Sequence, residues 1–141
     1  MNVMEAVDTV RHRFASAGNT VKIPNRLGEV FTATLVDGGV QVDNLVPPSG
    51  PSSFIPWAAF QEAVCILIRN GGRAKRGDAM RARLGDPDLP LDSVEGHVAH
   101  VVYGHPLGRA VFRRIVPVDG ILVWAGICEV APNELILRDI D

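Results

Sequence analysis

The chain has 141 residues, 47% hydrophobic and 21% charged, a balance that supplies apolar surface for a real core and excludes disorder along its whole length. Its 14 Lys and Arg against 16 Asp and Glu give a formal net charge of -2. That excludes a global attraction to polyanions, so a nucleic-acid surface must come from local clustering.

Residues 2–16 read as a helix because Val3, Val7, Val10 and Phe14 fall on one stripe. Asn2 with Glu5 has the spacing of a capping box, and Gly18 suits the stop. Glu5 and Asp8 also interrupt the stretch that a signal peptide keeps apolar. No run reaches the roughly 18 apolar residues of a membrane span. Cys65 and Cys128 each sit in an apolar run ("AVCILI", "AGICEV"), which predicts small buried hydrophobes rather than a disulfide framework. A cytoplasmic chain without membrane partners is therefore expected.

The period then changes to two. Val30, Thr32 and Thr34 alternate with Phe31, Ala33 and Leu35, the run breaks at Asp37, Gly38 and Gly39, and it resumes at Val40 and Val42. This predicts a hairpin of strands near 29–36 and 39–44, with "VKIP" as a third strand. Residues 46–55 include the proline-rich "VPPSGPSS" and read as a connection. It divides one domain of residues 1–141 into a helix-and-hairpin part, 1–45, and a second part, 56–141.

From Pro56 the helical period returns and ends at Gly71 and Gly72. Trp57, Phe60, Val64, Leu67 and Ile68 fall on its apolar face, with Glu62 and Arg69 opposite. Residues 69–83 carry six bases, Arg69, Arg73, Lys75, Arg76, Arg81 and Arg83, and the next block carries Asp86, Asp88, Asp92 and Glu95. The two blocks can neutralise one another across a turn. Further on, Ser93 or Asp92 can cap a helix over 93–103, "GRAVFRRI" can form a short helix, and Pro117 can open another through "VDGILVWAG". "ILVWAGICEV" then leads through Ala131, Pro132 and Asn133 to the strand "ELILR".

The order from 56 to 138 resembles a winged helix-turn-helix, in which a recognition helix runs into a two-stranded wing. "ILVWAGICEV" followed by "ELILR" is similar to the helix end and wing of many bacterial members. The resemblance implies DNA binding only if the helix at 117–126 offers donors to base edges. Its only charge is Asp119. Arg109, Arg113 and Arg114, with Arg73, Lys75 and Arg76 as a second group, are placed to touch phosphates and would confer little sequence choice.

Three of the four histidines, His97, His100 and His105, fall within nine positions. His97 and His100 are three apart on the expected helix and could share a metal with Asp92. Relative to the Val94, Val98 and Val101 face, however, both imidazoles are expected to point outward, and "HVAH" lacks the inner Glu of a metalloprotease helix. No nucleophile elbow and no phosphate-binding loop after a strand is present. The expectation is an α+β fold, an N-terminal helix and β-hairpin packed on a winged-helix-like part. It implies a non-enzymatic interaction or assembly module, binding a protein or itself and using no cofactor. A nucleic-acid-binding accessory or regulatory protein is the alternative, and a metal-dependent hydrolase is third.

Overall fold

Local chemistry and packing together set each element in the computed structural model, which describes residues 2–24, 30–43, 54–111 and 115–138. Helix α1 spans Val3–Ser16, and its capping box forms as expected: the Asn2 side chain accepts from the Glu5 amide at 2.9 Å while the Glu5 side chain reaches back to Asn2. Ala6, Val7, Val10 and Phe14 are its buried face.

Strands β1 (Thr20–Pro24), β2 (Val30–Val36), β3 (Gly39–Asp43) and β4 (Phe54–Pro56) form an antiparallel sheet in sequential order. Leu35 pairs with Val40 across the Asp37-Gly38 turn. The alternation resolves as the period of two requires, with Ile23, Phe31, Ala33, Val40, Val42 and Ile55 all buried. β4 was not expected: Phe54 and Ile55 fall where the sequence suggests a connection, yet Ile55 pairs with Val40 and is fully buried. Residues 44–53, most of the expected connection, lie outside the described residues.

Pro56 closes β4 and is the N-cap of α2 (Trp57–Arg69). This helix touches α1, α3, α4, β4, β5 and β7, making it the axis of the fold. After it come β5 (Arg73–Lys75), α3 (Val94–Val101), α4 (Ile115–Trp124), β6 (Cys128–Ala131) and β7 (Glu134–Leu137). The last three strands form a second antiparallel sheet in the order β5-β7-β6. From α2 onward the order is helix, strand, helix, helix and a two-stranded wing, a winged-helix-like part, and the whole is α+β.

Two expectations are corrected here. The basic segment contains β5, whose three residues alternate exposed, buried, exposed and are too few to show a period in sequence. Residues 108–111 of "GRAVFRRI" are turn and irregular backbone, not helix, while 112–114 lie outside the described residues. Gly108 donates to the Leu84 carbonyl, and Leu84 to that of Arg109, so this stretch is tied to a loop. A small second cluster of Ala82, Leu84, Leu89, Ala99 and Val111 packs beneath. The main apolar cluster runs from Ala6 to Leu135 and draws on both sheets. Among the described residues no helix is long and apolar enough to cross a membrane.

Candidate functional site

In a winged helix that reads DNA, the helix before the wing enters the major groove, which is just wide enough for it. Here that helix is α4, and the N-terminal sheet closes against it. Ile115, Val116, Pro117, Val118, Asp119, Ile121 and Leu122 are all buried. A Cβ on Gly120 would meet the Phe31 ring at 2.9 Å and the Ile23 side chain at 3.4 Å, so glycine is what permits this approach. The far end is held by α1: Arg13 donates to the Trp124 carbonyl at 3.1 Å and lies over the Trp124 ring, which also packs on Phe14. A cation on the last turn suits the negative end of the helix.

Two buried acids tie the first half of α4 to α3 and to Arg76. Glu95 of α3 is 1% exposed and its carboxylate accepts from the Ile115 amide at 2.6 Å. The Glu95 amide in turn donates to the Arg76 carbonyl. Asp119 accepts from Arg76 Nε, and the two form a buried ion pair. Gly96 makes the tight start of α3 possible, since a Cβ there would stand 2.0 Å from the Pro90 carbonyl oxygen. Ser93, as the N-cap, accepts from the Gly96 amide.

Arg73 and Lys75 project outward on either side of buried Ala74. Arg73 makes a two-pronged contact with Glu134, at 2.7 and 3.2 Å. That contact raises the Arg73 pKa and lowers that of Glu134, in each case chiefly through the hydrogen bond between them. The acids that meet this basic segment in side-chain salt bridges are thus Glu134 and Asp119, not Asp86, Asp88 or Asp92, among the described residues. A cleft of about 750 Å³ beside the end of β5 is lined by Lys75, Arg81, Asp78 and Asp88. Arg76 also reaches this cleft, so its lining mixes three bases with two acids.

Of the residues proposed to touch phosphate, Lys75 and Arg109 are exposed, Arg73 is engaged with Glu134, and Arg76 is buried. Arg113 and Arg114 lie outside the described residues. The outward placement expected for both imidazoles is corrected for one of them. His100 is exposed and its Nδ1 donates to the His105 carbonyl at 3.0 Å. His97 is 5% exposed, and its Nε2 lies 2.8 Å from Glu62 Oε1 of α2. Cys65 completes a group with them, and one donor atom from each of Glu62, Cys65 and His97 lies within 4.8 Å of the other two. Asp92 is exposed and its carbonyl accepts from Asn70; neither it nor His100 belongs to this group. The sequence does hold one trace of the arrangement, the three-residue spacing of Glu62 and Cys65, which puts them on one side of a helix.

The two thiols differ. Cys65 is half-buried, whereas Cys128 is buried, and that burial, with a smaller contribution from the charge of Asp119, pushes its pKa up to about 12. Cys128 therefore remains a protonated thiol at neutral pH and is not a nucleophile. No protein-family model, curated protein or solved structure matches the chain.

Proposed function

We propose that the chain is a non-enzymatic interaction or assembly module of the cytoplasm, built on a winged-helix-like frame in which the recognition-helix position has become a core element. The observation that carries this reading is the sheet on α4, where Phe31 and Ile23 close on Gly120 of the helix that precedes the wing. On α4 itself the exposed residue, among those described, is Val123. Val123 and Val130 are 40% and 37% exposed and flank a cleft of about 310 Å³ whose lining also includes Pro24, Val116, Gly120 and the Arg76–Asp119 pair. Exposed Val30 is paired with Pro24 and widens the same strip. Apolar side chains around a cleft suit a protein partner, including a second copy.

A mobility shift titrated with salt tests the reading. Purified protein is expected to leave duplex DNA and RNA unretarded at low salt. Retardation that falls steeply with added salt is the signature of phosphate contacts. It would overturn the proposal in favour of an accessory nucleic-acid-binding role through Lys75 and Arg109.

A further inference from the structure

We infer that Glu62, Cys65 and His97 form a binding site for one divalent transition cation of the zinc class, clamping α3 onto α2. The donor set is a carboxylate oxygen, a thiol sulfur and an imidazole nitrogen drawn from two packed helices. Thiolate and imidazole select zinc, cobalt or nickel over calcium or magnesium, which take oxygen donors. With metal-ligand bonds of about 2.0–2.3 Å, tetrahedral donors stand about 3.3–3.8 Å apart. From the observed separations of at most 4.8 Å, closing to that spacing takes a contraction of about 1–1.5 Å at most.

Burial also fits a metal site. The His97 side chain is 6% exposed, so its ring is held by packing, whereas Glu62 is 30% exposed and leaves one side of the cluster open to solvent. Three protein donors with one open side match a site that takes water as its fourth ligand. The cation must replace the Glu62–His97 hydrogen bond, which binds the same imidazole nitrogen. His100, on the exposed side of α3, takes no part.

Cobalt provides the direct probe. Full-length, tag-free, reduced protein stripped with chelator is expected to bind one equivalent of Co²⁺, with visible bands of tetrahedral geometry and a near-ultraviolet sulfur-to-cobalt band, and Zn²⁺ should displace it. Cys65→Ser should abolish the sulfur band while leaving the circular dichroism unchanged, and Glu62→Gln and His97→Gln should each weaken binding more than tenfold. His100→Gln should change nothing. Absence of saturable binding of either metal below millimolar concentration overturns the inference, as does binding that survives Cys65→Ser with its spectrum intact or is lost in His100→Gln. Because Cys65 is half-buried and serine nearly isosteric, that variant keeps the test decisive even if His97→Gln fails to fold.

Discussion

The two ends of β5 hold the same chemical pair in opposite surroundings. At the outer end, Arg73 meets Glu134 with both side chains substantially in water. Three residues on, Arg76 meets Asp119 beneath α4, where their side chains are 10% and 5% exposed. An exposed pair gains little because water already solvates both charges and salt screens them. A buried pair is different: each charge has given up its hydration and depends on the other. Burial does not make the pair a large net source of stability, but it makes removal of one partner costly. Burial, not the identity of the pair, decides which behaviour applies.

The largest effect expected follows from that difference. Asp119→Ala leaves the Arg76 charge buried and should cost about 3–5 kcal/mol in urea denaturation, whereas replacing both Arg76 and Asp119 with apolar residues of similar volume should be close to neutral or stabilising. A loss below about 1 kcal/mol for Asp119→Ala would show that the inner end is as wet as the outer. Next is Gly120→Ala, which pushes a methyl group into the Phe31 ring. It should cost about 1–3 kcal/mol by the same measurement, and a neutral outcome would mean that the sheet does not close on α4.

A smaller, pH-dependent effect comes from Cys128 of β6, which is itself buried. Its folded-state pKa, about 12, lies above the ordinary 9.0, so unfolded chains lose this proton first. Stability from this group is complete below about pH 9 and declines as pH rises toward about 12. Cys128→Ala should flatten that alkaline limb in thermal melts.

The smallest change is expected at the outer end. Arg73→Ala and Glu134→Gln should leave the urea midpoint within error at neutral pH and moderate salt. Glu134 has a lowered pKa, so whatever the pair contributes is present above the usual carboxylate range and fades as pH falls through the lowered value. Two-dimensional NMR of the wing amides during acid titration would detect this, and an unshifted Glu134 titration would argue against the contact.

The elements that were legible in sequence are those whose cause is local. The capping box of α1, the alternation of Phe31 and Ala33 about an Asp-Gly turn, and the Ser93 cap of α3 each depend on residues a few positions apart, so spacing alone reveals them. β4 and β5 were missed because each has three residues, too few for a period, and exists by pairing with a strand elsewhere in the chain. His97 was misplaced for a related reason. On a helical wheel it lies at the margin of the valine face, and only the packing of α2 against α3 turns that margin inward.

Caps, turns and apolar periods thus determined by themselves that this chain folds as α+β, with a helix and hairpin ahead of a helical part that ends in a second hairpin. Tertiary structure alone decided that the N-terminal sheet packs on α4, that Arg76 is buried while Lys75 is exposed, and that His97 joins Glu62 and Cys65. The physical reason is range. Helix caps and strand alternation are satisfied within a few residues, whereas burial of a charge and convergence of donors depend on surfaces brought together from segments 35 or more positions apart, as in Glu62–His97 and Arg76–Asp119.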